Sequence, residues 1–196
     1  MAGPTSERAF ASRSTVLGID PGTRRLGWGI VTRSGSRLVH VAHGVIAPDV
    51  DTSLAERLVV IERELDQVVS DHAVGCASIE TLFFHKDAQA AAKLGHARGV
   101  ALLVCARAEL EIAEYAPARV KRTVTGRGAA DKEQVAQMVR TFLSLPSAPA
   151  SDAADALALA VTHLQLVPAL LAASKARVAA ISRAATSPSR QPRLGR

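Results

Sequence analysis

Aromatic side chains are scarce in this chain: four Phe, one Tyr and one Trp among 196 residues. A core without large rings has to come from Ala, Val, Leu and Ile. With 48% hydrophobic residues there is enough of these to bury one real domain, with some chain left over for tails. Only two cysteines occur, Cys76 and Cys105, in apolar surroundings and without metal-ligand spacing. That excludes a disulfide framework and reads as buried free thiols in a reducing compartment. No apolar run approaches the roughly 20 residues needed to span a bilayer, so no membrane association is expected. Residues 1–14 lack the apolar segment of a signal peptide and read as a disordered extension.

Acidic residues are missing altogether from Ala169 onward, where six basic residues stand alone: Lys175, Arg177, Arg183, Arg190, Arg193 and Arg196. The net charge of +6 therefore resides in this tail, and residues 1–168 balance at 18 basic against 18 acidic side chains. Overall charge is thus poor evidence for a nucleic-acid partner of the core. Its distribution says more. From Phe84 to Arg127 eight basic residues face four acids, a locally basic stretch suited to a polyanion.

Three strands open the chain, over 15–20, 26–32 and 37–46, with Pro21-Gly22 marking the first turn. They read as an antiparallel meander. Ser53 is a candidate N-cap for a helix from Leu54 to about Val69, whose residues Leu54, Leu58, Ile61, Leu65 and Val68 recur at helical spacing. A buried strand over 73–80, a long Ala-rich helix over 87–109, a strand over 111–115 ended by Pro117, and helices over 131–145 and from Ser151 or Asp152 to about 166 follow. A last helix over 169–185 precedes a Ser/Pro/Arg tail. Meander first, then alternating helices and strands, describes a mixed α/β sheet with helices on both faces. The domain is expected over 15–167, with 168–196 as a basic extension, helical and then disordered.

Four acids sit where such a sheet concentrates its chemistry. Asp20 ends the apolar run Val16-Leu17-Gly18-Ile19. Glu80 ends Ala77-Ser78-Ile79. Asp152 and Asp155 lie three apart on the first turn of a helix and face one side. Taken singly, Asp20 also reads as a turn residue before Pro21, Glu80 as an exposed strand-end acid, and the last two as a cap and a first-turn acid. If the four meet, repulsion raises their pKa values, and a hard divalent cation such as Mg²⁺ relieves it. Two such ions about 3.5–4 Å apart hydrolyse phosphodiesters.

Five ordered segments carry a resemblance. They are Gly18-Ile19-Asp20-Pro21-Gly22-Thr23-Arg24 with Gly27-Trp28-Gly29, Ile79-Glu80 with Phe83-Phe84, Lys93 to Ala101, Val124 to Lys132, and Asp152 to Ala158. From about Val16 to Leu164 the chain closely resembles the RuvC family of bacterial Holliday-junction resolvases. The resemblance implies an RNase H-like fold: a mixed five-stranded sheet, three strands antiparallel and then parallel ones, flanked by helices. It implies a homodimer that nicks four-way junction DNA symmetrically, in recombination and repair, in the bacterial cytoplasm near the nucleoid. It implies two Mg²⁺ per active site, with Mn²⁺ as an alternative, and RuvA and RuvB as partners.

The family's acidic metal ligands fall on Asp20, Glu80, Asp152 and Asp155, and none is replaced. Phe83 matches the aromatic that stacks on bases at the crossover, where stacking is worth on the order of 1–3 kcal/mol; Phe84 reads as core. Lys121 and Lys132 match basic residues near the active site, suited to hold the scissile phosphate. Arg24, Lys86, Lys93 and the backbone of Gly126 and Gly128 are further DNA-contact candidates, with Gly126–Gly128 also readable as a plain turn. Arg25 has the same opportunity, but Arg24 fits the pattern better. The small residues of the 87–109 helix assign it partly to the core and partly to a dimer interface. Asp87 stands where the family often has Asn, and His96 where Gln is usual. Three other readings remain: an ATP-dependent enzyme with a related Asp-x-Gly loop, a non-catalytic junction binder, and an RNase H-like nuclease acting on an RNA–DNA hybrid.

Overall fold

The computed structural model describes residues 15–81 and 88–167. The expected terminal extensions lie outside the described residues, as do Phe83, Phe84, His85, Lys86 and Asp87. The chain divides into two compact units, Met1–Leu164 and Gln165–Arg196. Within the second, residues 165–167 are helical.

The meander forms as expected: β1 (Thr15–Asp20), β2 (Leu26–Ser34) and β3 (Arg37–Ile46) pair antiparallel. The first helix, α1 (Leu54–Asp71), starts where Ser53 predicts. The Ser53 hydroxyl accepts the Glu56 N–H, and the Glu56 carboxylate accepts the Ser53 N–H, so two orphan donors are satisfied at once. Ser53→Ala should cost about 1 kcal/mol. Thermal unfolding should show this as a midpoint lowered by roughly 2–4 °C.

Then come β4 (Cys76–Glu80), α2 (Ala88–Arg107) and β5 (Glu111–Tyr115), the two strands parallel to β1. The sheet order is β3-β2-β1-β4-β5. β4 begins three residues later than expected, because Val74 N–H closes onto the His72 carbonyl at 2.7 Å in a tight turn. α2 ends two residues early. Glu109 adopts a left-handed conformation (φ 56°), and Leu110 N–H reaches back to the Cys105 carbonyl at 2.9 Å.

One helix was not expected. Pro117 does not simply end β5; it opens α3 (Pro117–Thr125). Proline suits the first helical position, where its missing N–H would have had no partner. Val120 and Val124, four apart, bury the inner face, and Gly126 closes the helix at φ 78°. Helix α4 (Lys132–Phe142) is capped by Asp131 and stops before Ser144, which is left-handed at φ 51°. That is three residues short of the expected end. The last helix of the unit, α5, is helical from 151 onward. Ala154 N–H bonds the Ala150 carbonyl at 2.8 Å. Ala150 therefore takes the cap position, and Ser151 and Asp152 already lie in the first turn.

Two cores result, one on each sheet face, because strand side chains alternate. Leu17, Ile19, Ile30, Ala77 and Ile79 pack with Ile61 and Leu65 of α1 and Ala97, Ala101, Val104 and Cys105 of α2. Val16, Val31 and Cys76 pack with Val120, Val135, Val139 and the α5 residues Leu157 to Val161. Both cysteines are buried free thiols whose pKa burial pushes up to about 12. Among the described residues no helix is long and apolar enough to cross a membrane.

Candidate active site

On the α5 face of the sheet, side chains are replaced by hydrogen. Gly18 and Gly29 pair across β1 and β2, and Gly27 pairs with Asp20. A Cβ on Gly18 would stand 1.8 Å from the Ala156 carbonyl oxygen, and one on Gly27 would stand 2.0 Å from that of Asp152. One on Gly29 would fall 2.6 Å from the Leu157 side chain. The helix backbone thus lies directly on the strands. Ala153, Ala154, Ala156, Ala158 and Ala160 present only methyl groups and are buried. Ser78 of β4, fully buried, donates its hydroxyl to the Leu159 carbonyl at 3.0 Å and ties α5 to the middle of the sheet.

This packing decides where the four acids go. β1 and β4 run parallel with Ile19 opposite Ile79, so Asp20 and Glu80 leave the sheet side by side at the same end. Period-two alternation puts Asp20 on the face of Gly18, and Glu80 on the face of Ser78, both toward α5. The first turn of α5 seats the Asp152 carbonyl on Gly27, the cross-strand partner of Asp20. The structure therefore brings all four predicted acids to one sheet corner.

Their electrostatics register the crowding. Burial, then the charges of Asp155 and Glu80, push the Asp20 carboxyl up to about 7; Lys132 works against this and Asp152 adds to it. Lys132 donates from Nζ to the Asp155 carboxylate at 3.0 Å. Its own pKa is raised, first by that hydrogen bond and then by the Asp155 charge. Arg25 donates from Nε to the Asp152 carboxylate at 2.6 Å. As the side chains stand, no three His, Cys, Asp or Glu groups among the described residues close into a metal cage. Two of the four carboxylates are turned onto the chain's own cations. The donor set itself fits a hard divalent ion: four carboxylates, one of them with its pKa raised by burial and by its acidic neighbours.

The basic candidates divide. Lys132 sits within the acid cluster. Lys121 is half-buried on α3, without an ion pair to Asp20, Asp152 or Asp155; Arg24 and Lys93 are exposed. Gly126 is the left-handed end of α3, its N–H on the Arg122 carbonyl at 2.9 Å. The N-terminus of α4, beyond Gly128, already holds the Asp131 carboxylate on the Gln134 N–H at 2.8 Å. Phe83 and Lys86 lie outside the described residues. Sequence reasoning missed two supports. Arg98 of α2 donates to the Glu80 carbonyl at 3.2 Å and also pairs with the Glu114 carboxylate, tying the ends of β4 and β5 together. Arg57 donates to the Thr23 carbonyl at 3.3 Å and pins the turn after Asp20 to α1. Neither leaves a local signal, since the partners, two backbone oxygens and the Glu114 carboxylate, are distant in sequence.

A family model described as crossover junction endodeoxyribonuclease RuvC matches residues 16–163. A protein of that name from Sorangium cellulosum is 59% identical over 165 residues, covering 83% of this chain and 92% of its own. Another from Parvibaculum lavamentivorans is 54% identical over 149 residues, covering 76% and 85%. Among solved structures, T. thermophilus RuvC in complex with a Holliday junction substrate superposes with a TM-score of 0.72 at 35% identity, covering 76% of this chain and 92% of that one. The yeast mitochondrial Holliday junction resolvase Ydc2, 12% identical with a TM-score of 0.54, shares the fold.

Proposed function

This chain belongs to the RuvC family of crossover junction endodeoxyribonucleases, and from that premise we propose that its four clustered acids form the centre that cuts four-way junction DNA. The RNase H-like fold and the junction-resolving endonuclease activity come with membership. The observation that carries the site assignment is geometric: β1 and β4 end side by side at Asp20 and Glu80, and the first turn of α5 sits on Gly27, the partner of Asp20; the raised pKa of Asp20, driven by burial and by Asp155 and Glu80, agrees with it. Separate surface acids would not act on one another in this way.

Asp20, Glu80, Asp152 and Asp155 would hold Mg²⁺, two ions per site, with Mn²⁺ able to serve in its place. Bound there, a divalent cation supplies a water of lowered pKa and neutralises charge at the leaving oxygen. The chain's own residues do the rest. Asp20 and Glu80 provide carboxylates fixed by parallel strands, so their separation does not depend on a loop. Lys132 keeps an ammonium beside Asp155, in reach of a phosphate brought to the cluster, and opposes the charge that builds on the scissile group. Phe83 stacks on bases at the crossover. Lys121, Arg24, Lys86, Lys93 and the backbone at Gly126 and Gly128 follow the phosphates.

A homodimer matches two sites to a two-fold symmetric junction. The outer side of α2 suits the interface. Leu103 is 53% exposed there, and Gly95 and Gly99 have open space where a Cβ would be. RuvA and RuvB are the partners, and the bacterial cytoplasm the setting, on family membership alone.

Competition among a four-way junction, a linear duplex and an RNA–DNA hybrid tests the substrate. Cutting of the junction well ahead of both is expected. Preference for the hybrid would replace this reading with that of a ribonuclease H.

A further inference from the structure

Among the described residues two cations pair with the acid cluster: Lys132, which faces the scissile phosphate, and Arg25, whose guanidinium pairs with Asp152. Its Nε lies 2.6 Å from Asp152 Oδ2, across 127 positions of sequence. Rigid elements hold both ends of this contact. On one side the turn is tight: a Cβ on Gly22 would stand 2.2 Å from the Arg25 carbonyl oxygen. Arg57 fastens the same turn through Thr23. On the other side, Asp152 rests with its carbonyl on Gly27, two residues beyond Arg25. The guanidinium is thus delivered to the carboxylate by the same packing that delivers the carboxylate to the cluster. The Arg25 side chain is 53% exposed and can swing into water.

We propose that Arg25 is a latch on the metal site: in the metal-free protein its guanidinium occupies Asp152, and a divalent cation binds by displacing it. The latch rests on the assignment of Asp152 as a metal ligand. With Nε at 2.6 Å, an ion that approaches Oδ2 from the Arg25 side meets the guanidinium and has to displace it. The latch supplies part of the positive charge that four crowded carboxylates lack. An exposed ion pair is a weak competitor, so metal affinity is lowered by a few-fold and not abolished.

The test uses the full chain without DNA, titrated with Mg²⁺ and followed by nuclear magnetic resonance. The Arg25 Nε–H signal reports the latch, and the backbone amides of Gly27 and Asp152 report the site. The expected result is that Arg25 Nε–H loses its hydrogen-bonded shift along the same binding curve as the two amides. Asp152→Asn should show the released Arg25 signal with no Mg²⁺ at all. Arg25→Gln should tighten Mg²⁺ binding about five-fold, while Arg24→Gln, which removes an equal charge that has no ion pair among the described residues, should change it less than two-fold. Saturation of the two amides with Arg25 Nε–H unmoved would overturn the latch and leave the site standing. Amides that ignore Mg²⁺ would overturn the site assignment, and the latch with it.

Discussion

Asp20→Asn should slow cutting of a four-way junction by about a thousand-fold or more, leave junction binding in place, and raise the stability of the metal-free protein at pH 8. The first effect follows from removing a charged ligand from the centre of the cluster. The second follows from its raised pKa. In an unfolded chain an aspartate titrates near 3.8, and in the folded protein Asp20 holds its proton up to about 7. Below pH 3.8 both states are protonated and Asp20 is neutral in effect. Between the two values the folded state binds a proton that the unfolded state has lost, so stability falls as pH rises. Above pH 7 the penalty is complete, roughly 2–4 kcal/mol. Asparagine carries no charge and escapes it. Thermal unfolding of the variant should therefore show a midpoint roughly 5–10 °C higher at pH 8 and little change near pH 4. Added Mg²⁺ should stabilise the wild type at pH 8 and the variant much less. An Asp20→Asn protein that is less stable than wild type at pH 8, or that still cuts, would contradict the account.

Gly18→Ala should be among the most damaging single methyl groups this chain can receive. The added Cβ would stand 1.8 Å from the Ala156 carbonyl oxygen and 2.9 Å from the Ala160 nitrogen. Both are backbone atoms of a helix and cannot turn aside as a side chain would. Either α5 lifts from the sheet or β1 bends, and in both cases the core around Val16, Leu157 and Ala160 opens. A loss above about 4 kcal/mol is expected, at the upper end for single substitutions. Unfolding should show a drop of at least 10 °C or failure to accumulate as folded protein. Gly27→Ala is the companion test, nearer the corner. Its methyl would meet the Asp152 carbonyl oxygen at 2.0 Å. Displacing Asp152 by about 1 Å should cost on the order of a hundred-fold in cutting. That loss should exceed what the accompanying fall in folded fraction explains.

The strands and the first helix were legible because their signals are local. Pro21-Gly22 marks a turn, partial alternation marks β3, and Ser53 marks a helix start. α3 is not legible, because a proline after β5 signals a stop; with Val120, Val124 and Gly126 it is equally a start. Helix ends were misplaced where Glu109 and Ser144 take left-handed conformations with no glycine to announce them. The four acids could be named from ordered motifs, but their meeting could not be seen in their spacing. It depends on Gly18, Gly27 and Gly29 stripping one sheet face bare so that α5 lies on it. The glycines were in view as motif residues, while their task is visible only once Ala156 and Asp152 are seen above them. The sequence presents Arg25 only as a DNA-contact candidate, because nothing in a turn says which carboxylate, 127 residues away, its guanidinium will reach.

The most direct measurement maps the strand ends left when the wild-type protein acts on a mobile four-way junction with and without Mg²⁺. One metal-dependent centre per protomer, built from Asp20, Glu80, Asp152 and Asp155, predicts two nicks at symmetric positions on opposing strands. The ends should carry 5′-phosphates and 3′-hydroxyls, and nothing should be cut without the ion. Cutting that persists without a divalent metal, or nicks scattered equally along a linear duplex, would contradict it.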